Sequence, residues 1–329
     1  MLPTLYDSYW LGRLGSTAQA AAGLAVSVRM TMISVLMALS GASGAVVARY
    51  VGAEDRENAD LATLQAVLLM TLSAGVLGLI GFLFAEPLMR LAGADATVLP
   101  AAVTYARVIF IGLIALELLP SVGGMLNTSG SPQIRLTMTL WMMGAQLLAQ
   151  PLLVRHYGLA GAAAAVVGAN AVGVFWGIGI LLRGRASVRI DRHNLRIDLP
   201  MMARIVRIAL PSVVQRGAPN LANSLLIRLI ASYGSPILAA WIVTTRILGV
   251  VQVPGTGIAG SAGAMVGLNM GAHQISRAEK AVRWACLAAV AVSAVLVFFL
   301  LVAAPWVLSW FGLESTALGP GAAMLRWVS

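Results

Sequence analysis

The sequence predicts an all-α polytopic membrane protein made of two pseudo-symmetric six-helix bundles, of which the second is truncated. Composition is the first observation behind this prediction: 59% of the residues are hydrophobic and 10% are charged, whereas soluble domains carry about 25% charged residues. The second is a series of apolar segments long enough to cross a bilayer as helices of about 20 residues. The third is an internal repeat, in which residues 15–110 align with residues 234–329.

The repeat has a constant offset of 219 positions and needs no gap. Gly15 aligns with Gly234, and Gly52-Ala53 aligns with Gly271-Ala272. Self-similarity at a fixed offset indicates that one structural unit occurs twice. Because six helices per copy is an even number, both copies would have the same orientation, which predicts a parallel repeat about an axis along the membrane normal.

The helices follow from the apolar segments and from the turns between them. They are predicted at residues 1–12 (the end of a first helix), 18–50, 59–85, 98–127, 133–155, 159–182, 201–232, 237–270, 277–304 and 317–329 (the start of a tenth). The N-terminal bundle would cover 1–183, a basic cytoplasmic linker 184–200, and the C-terminal bundle 201–329. The repeat predicts a natural protein of roughly 420–450 residues that also has the start of helix one and helices ten to twelve. Without those helices, the second bundle should show an open groove.

Basic residues predict the orientation in the membrane. Most arginines lie in the turns after helices two, four, six and eight, and these turns are therefore predicted to be cytoplasmic. The net charge of +10 is explained by this asymmetry, and we expect no nucleic-acid partner. Cys286 is the one cysteine of the sequence, which excludes an internal disulfide and a thiolate metal site. We expect a multi-pass protein of a bacterial inner (plasma) membrane.

Motifs in both halves of the chain resemble a known family. Asp7 precedes the sequence GRLG at 12–15, the second helix ends in VARYVGA at 47–53, and the eighth ends in VGLNMGA at 266–272. These motifs, in this order, resemble the multidrug and toxic compound extrusion (MATE) family over nearly the whole chain. The branch similar to the DNA-damage-inducible protein F is an open assignment within that family.

Two family motifs are altered. The family's L-R-G-x-G-D turn after helix four is LNTSGS at 126–131. The N-x-x-x-D-P pattern of the fifth helix is replaced by Gln146 and Gln150-Pro151, so that glutamines stand for the family's asparagine and acid. The fold prediction does not depend on these positions, whereas the family's usual proton or sodium network does.

The resemblance implies a secondary active antiporter that exports amphiphilic organic compounds in exchange for H+ or Na+. It implies no cofactor beyond the coupling ion, no metal site and no enzymatic activity, and we expect a monomer in a lipid bilayer with a small organic substrate. One alternative is a flippase of lipid-linked precursors from the same superfamily. A remote alternative is a membrane acyltransferase that uses His193 and Asp198, which have the H-x4-D spacing and in which a histidine base would activate an alcohol.

Asp7 is the main candidate for ion coupling. It lies five residues before Gly12, and at the rise of an α-helix it would lie roughly 8–12 Å inside the outer end of the first helix. A carboxylate at that depth is costly and is therefore usually functional or paired. The resemblance assigns the same role, because the family has a coupling acid in its first helix. The alternative is a polar helix cap near the interface.

Other polar residues lie on apolar helices and are candidates for a substrate cavity. Glu117 would be either a substrate counter-ion or the partner of a buried arginine. Arg29 and two further deep arginines would either bind an anionic substrate group or pair structurally. The candidates for the cavity are Glu117, Gln146, Gln150, Asn170, Arg216, Asn223 and Arg246. Bonding between helices is the alternative for each of the amides.

Overall fold

The computed structural model describes residues 2–184, 188, 196–231 and 235–310, and their regular structure is α-helical throughout. The all-α prediction is therefore confirmed. The described helices are α1 Leu2–Arg13, α2 Ser16–Met32, α3 Ser34–Gly52, α4 Arg56–Leu83, α5 Ala85–Leu91, α6 Leu99–Ile111, α7 Leu113–Thr128, α8 Pro132–Leu182, α9 Leu199–Ala231, α10 Ser235–Gly271 and α11 Ile275–Trp310.

Several helices have the length and composition of membrane spans, which confirms the polytopic class. Within the described residues, 5 helices are long and apolar enough to cross a bilayer, and the number rises to 6 if the bent pair α6 and α7 counts as one span. Helix α11 is the most apolar of them. Large side chains along it, such as Val290, Val295 and Phe298, are exposed, as expected of a surface that meets lipid.

Four predicted helices are broken or merged in the structure. The predicted helix 18–50 is interrupted at Ile33, between α2 and α3. The predicted helix 98–127 is divided at Gly112, where α6 and α7 meet at an angle of 49°. The fifth and sixth predicted helices form α8, whose backbone leaves helical geometry at Gly158 (φ 55°, ψ −129°). The predicted tenth helix lies outside the described residues.

The bend at Gly112 has a packing reason. A Cβ atom placed on Gly112 would lie 2.8 Å from the Cβ of Val167, which belongs to the second part of α8. Real Cβ atoms do not approach side chains that closely, so a residue without a side chain is required where the bend meets α8. Pro120 adds a second irregularity to α7, because proline cannot donate the helical hydrogen bond at its position.

The chain divides into two compact units, Met1–Val213 and Val214–Ser329. The predicted bundles at 1–183 and 201–329, their parallel repeat and the 184–200 linker stay predictions. Most of that linker lies outside the described residues.

The first unit has two hydrophobic clusters. One joins α3, α4, α7, both ends of α8 and the start of α9, and it includes Leu36, Met70 and Leu113. The other joins α1, α2, α5, α6, Leu116 of α7 and the middle of α8, and it includes Ala25 and Tyr105. The break at Ile33 separates α2, which packs in the second cluster, from α3, which packs in the first. Helix α7, beyond the bend at Gly112, contributes to both clusters.

The second unit contains a groove between α10 and α11. Its volume is about 920 Å³, and its walls include Pro254, Met265, Arg277, Lys280 and Trp284. The hypothesis of missing helices stays a prediction.

Candidate functional site

Asp7 is joined to α8 by a short hydrogen-bond chain. The Nε2 of Gln150 donates to Oδ1 of Asp7 at 2.5 Å, and the Nε2 of Gln146 donates to Oε1 of Gln150 at 3.0 Å. The Nε2 of Gln146 also donates to the carbonyl of Pro3 at 3.3 Å. The structure thus brings together three of the residues that the sequence singled out.

The spacing along α8 explains this arrangement. Gln146 and Gln150 are four residues apart, and side chains at that spacing lie above one another on the same helix face. Gln150 is fully buried and Gln146 is 3% exposed. Since buried amides are costly without hydrogen-bond partners, the two glutamines and Asp7 satisfy one another. Asp7 is the ionisable member of this network, because amides do not titrate.

Pro151 provides a further attachment for α1. Proline has no N–H, so the carbonyl of Leu147, four residues earlier, lacks its helical donor. The hydroxyl of Tyr6 donates to this carbonyl at 3.2 Å. Helix α1 is therefore held on α8 by Tyr6, Asp7 and the backbone of Pro3.

Glu117 forms an ion pair with Arg29. The NH1 of Arg29 lies 2.7 Å from Oε1 of Glu117, and the side chains are 18% and 5% exposed, respectively. Of the two alternatives for Glu117, the structure shows the pairing with an arginine. A role as substrate counter-ion stays a prediction.

Tyr105 was missed by the sequence analysis. It lies on α6, is 1% exposed, and packs in the cluster that contains Leu11 of α1 and Ala25 of α2. A tyrosine within an otherwise apolar helix was the available signal, because a buried hydroxyl usually serves a polar contact. The sequence does not show which residues it faces, since these lie on α1 and α2.

The remaining candidates are placed less fully. The Nδ2 of Asn170 donates to the carbonyl of Val166 at 2.8 Å, so this amide bonds to its own helix. Arg216 and Asn223 lie on α9 and Arg246 lies on α10, but their side chains are outside the described part of the structure. Their cavity roles stay predictions.

The acyltransferase motif is described only at its second residue. The Oδ1 of Asp198 accepts a hydrogen bond from the backbone N–H of Met201 at 2.8 Å, which is the contact of a helix N-cap. His193 lies outside the described residues. In the part that the structure describes, His, Cys, Asp and Glu residues form no group of three or more that would suit a metal ion.

Comparison with known proteins identifies relatives of this chain. Residues 2–152 and 211–329 match the family described as MatE. The chain is 24% identical over 276 residues to the probable multidrug resistance protein YpnP of Bacillus subtilis (strain 168), covering 80% of this chain and 60% of that protein. It is 26% identical over 297 residues to the FAD transporter of Shewanella oneidensis (strain MR-1), covering 84% of this chain and 63% of that protein. The chain thus spans less than two thirds of the length of either relative.

Solved structures agree with the family match. The outward-facing conformation of a multidrug resistance MATE family transporter of the MOP superfamily has a TM-score of 0.83 and 25% identity, covering 99% of this chain and 73% of that chain. A MATE structure in the bent conformation has a TM-score of 0.88 and 24% identity over the same shares of the two chains. The resemblance predicted from the motifs is confirmed: the chain belongs to the MatE family.

Proposed function

We propose that the full-length protein is a secondary active antiporter of a bacterial inner membrane that exports amphiphilic organic compounds in exchange for protons. It would act as a monomer in the bilayer, and Asp7 would carry the proton. The observation that carries this proposal is the hydrogen-bond chain from Asp7 through Gln150 to Gln146. It places a carboxylate in a buried amide network, at the contact of two helices.

The direction of the hydrogen bonds supports a proton rather than sodium. Hard cations such as sodium take oxygen ligands. Gln150 directs its NH2 group toward Asp7, and its amide oxygen already accepts from Gln146. The carboxylate therefore faces an amide donor at Oδ1, which suits an anion that is neutralised by a proton.

Proton uptake would act on the attachment of α1. The ionised carboxylate accepts a charge-assisted hydrogen bond from Gln150, and such bonds are roughly twice as strong as neutral ones. Protonation weakens that bond, while the contacts of Tyr6 and Pro3 with α8 remain. Helix α1 would then change its position on α8, and substrate affinity would fall. A ligand alters an equilibrium in this way only by binding two states with different affinity.

Substrates with an anionic group are a second candidate. The Shewanella relative is named an FAD transporter, and Arg29 is a cation in the last turn of α2 that keeps 18% of its side chain exposed. A flippase of lipid-linked precursors would need the same kind of cation. For the acyltransferase alternative, Asp198 would have to assist a histidine, but its carboxylate accepts a hydrogen bond from the backbone of Met201 as a helix cap.

The function is tested with the full-length protein in liposomes loaded with ethidium. An imposed proton gradient should accelerate efflux, while a sodium gradient at constant pH should not. Efflux driven by sodium alone would overturn the proposed coupling ion. If neither gradient drives efflux of ethidium or of flavin nucleotides, while a labelled lipid-linked precursor crosses the bilayer, the protein is a flippase and the antiport proposal is wrong.

A further inference from the structure

A narrow apolar groove lies on the first unit, beside the bend between α6 and α7, and is called the bend groove below. Its volume is about 210 Å³. Its walls include Gly75, Leu79 and Phe82 of α4, Ile111 of α6 and Ile114 of α7. Every residue that lines it is apolar, so the groove suits a hydrocarbon chain rather than a polar ligand.

Two glycines of α4 shape the bend groove. A Cβ atom on Gly78 would lie 2.6 Å from the carbonyl oxygen of Phe110, so α4 approaches the backbone of α6 as closely as a glycine allows. A Cβ atom on Gly75 would meet only the Cδ1 of Ile114, at 3.6 Å. The helices are therefore in close contact at Gly78, and the missing side chain of Gly75 leaves space one turn away.

The bend groove opens onto a surface with the character of a lipid-facing one. Leu79 and Ile111, which line it, are 59% and 67% exposed, and the neighbouring Leu83 is 63% exposed. Helix α4 is long and apolar enough to span a bilayer, and α6 and α7 pass the same test as a bent pair. Acyl chains of the bilayer can therefore reach the groove.

A cation lies at one end of the bend groove. The guanidinium of Arg107 is 5.7 Å from the centroid of the Phe82 ring, and Phe82 belongs to the last turn of α4. Arg107 is exposed and takes part in neither of the two ion pairs found among the described residues. A contact with a ring uses the face of the guanidinium, so its N–H donors can bind an anion.

The depth of Arg107 suits a lipid phosphate. Helix α4 starts after a turn that is predicted to be cytoplasmic, so its last turn, with Phe82, would lie near the outer surface of the membrane. From Phe82 the groove extends back to Gly75, which is roughly 10 Å toward the centre of the bilayer. A lipid whose phosphate lies at Arg107 would thus have an acyl chain along the groove.

We propose that the bend groove binds one anionic phospholipid of the outer leaflet. Its phosphate contacts Arg107, and one of its acyl chains lies between α4 and the bend. A headgroup with a net negative charge is favoured because Arg107 has no carboxylate partner among the described residues. The site does not depend on the proposed transport function. The alternative is unspecific lipid that surrounds the whole protein.

The test is photolabelling of the purified full-length protein in nanodiscs of phosphatidylcholine. The probe is a trace of phosphatidylglycerol that carries a diazirine in one acyl chain. Mass spectrometry compares adducts on Leu79, Ile111 and Ile114 with adducts on the exposed face of α11, which measure unspecific contact with lipid. We expect stronger labelling of the groove. A phosphatidylcholine probe with the same diazirine should label the groove about fivefold less, the effect expected of one basic residue near a charged surface.

Four variants separate the headgroup contact from the acyl-chain contact. Arg107→Gln should lower labelling of the groove by phosphatidylglycerol about fivefold, whereas Arg107→Lys keeps the charge and should retain most of it. Gly75→Leu fills the groove and should lower labelling by both probes. Arg155→Gln changes an exposed arginine of α8 and is the control that should leave labelling unchanged. Size-exclusion chromatography shows whether each variant is folded.

The outcomes decide between a built site and unspecific lipid. Labelling of the groove at the level of α11, with no response to Arg107→Gln or Gly75→Leu, would overturn the proposal. Equal labelling of the groove by the two headgroups would overturn the assignment of an anionic ligand. If Gly75→Leu does not fold, the comparison of Arg107→Gln with Arg107→Lys still decides. Transport is not measured, so a failure of the proposed function leaves this test unaffected.

Discussion

The side-chain amide of Gln150 lies 2.5 Å from the carboxylate of Asp7, and this contact joins α1 to α8 across 143 positions of sequence. When a carboxylate takes part in a helix–helix contact, a change in its protonation state can change the position of one helix on the other. The chain belongs to the MatE family, and we propose that this contact is where it couples charge to conformation.

The first prediction concerns the charge of Asp7. Asp7→Asn keeps the size of the side chain and much of its hydrogen bonding while it removes the titration. Proton-driven efflux from liposomes should be abolished, while ethidium still binds and its affinity no longer depends on pH. Glu57→Gln, which changes an exposed acid of α4, is the control and should retain transport. Efflux by Asp7→Asn at the unmodified rate would mean that Asp7 is a structural cap.

The second prediction concerns Gln150. Gln150→Leu removes the donor to Asp7 and one of the two acceptors of Gln146, whose Nε2 keeps its contact with the carbonyl of Pro3. A hydrogen bond to a charged group is worth about 1.5–3 kcal/mol, so we expect weaker attachment of α1 to α8. Hydrogen exchange should become faster in residues 2–13. Gln133→Leu changes an exposed glutamine of the same helix and should leave exchange in α1 unchanged. Equal exchange in both variants would contradict the role of Gln150.

The third prediction concerns the bend at Gly112. Gly112→Ala places a Cβ against Val167, and overpacking of this kind typically costs about 1–3 kcal/mol. The thermal midpoint should fall, and a second substitution, Val167→Ala, should restore part of it by removing the two Cγ atoms. Gly144→Ala is the control, because nothing lies within 4 Å of a Cβ at that position. A thermal midpoint unchanged by Gly112→Ala would contradict this prediction, because it would mean that α8 moves aside to accommodate the added Cβ.

The fourth prediction concerns the turn before α6. The carboxylate of Asp95 accepts hydrogen bonds from the hydroxyl of Thr97 and from the N–H groups of Val98 and Thr97, and these bonds lower the pKa of Asp95. A lowered pKa means that the contribution to stability is present above the ordinary value for an aspartate and is lost as pH falls through the lowered one. Asp95→Ala should therefore reduce the thermal midpoint at neutral pH.

The difference between Asp95→Ala and the unmodified protein should shrink below a pH of about 4, the ordinary range of an aspartate. Thr97→Ala removes the hydroxyl donor and should give a smaller effect with the same dependence on pH. A difference that stays constant down to the lowest pH measured would contradict the assignment of these hydrogen bonds as the cause.

The sequence predicts the helices well because their signal is local. Apolar runs of bilayer length mark α4 and α11, and glycine in the GSP turn at 130–132 marks the boundary between α7 and α8. The break at Ile33 could not be predicted, because no glycine or proline lies next to it in the sequence. The parallel repeat, although visible in the sequence, stays a prediction about the full-length protein.

The candidate site was predictable in its members but not in its contacts. The cost of a carboxylate in a membrane identifies Asp7, and the altered fifth-helix motif draws attention to Gln146 and Gln150. Local sequence does not show that α1 lies on α8. For the same reason it left open the partner of Glu117 and missed Tyr105.

Proline in the middle of a helix is usually regarded as damage to that helix. In α8, Pro151 has no N–H to donate to the carbonyl of Leu147, so this carbonyl is free to accept a hydrogen bond from another part of the chain. The hydroxyl of Tyr6 donates that hydrogen bond. The irregularity in α8 thereby provides a binding position for α1. The contact between the two helices depends on this free carbonyl as well as on the amide of Gln150.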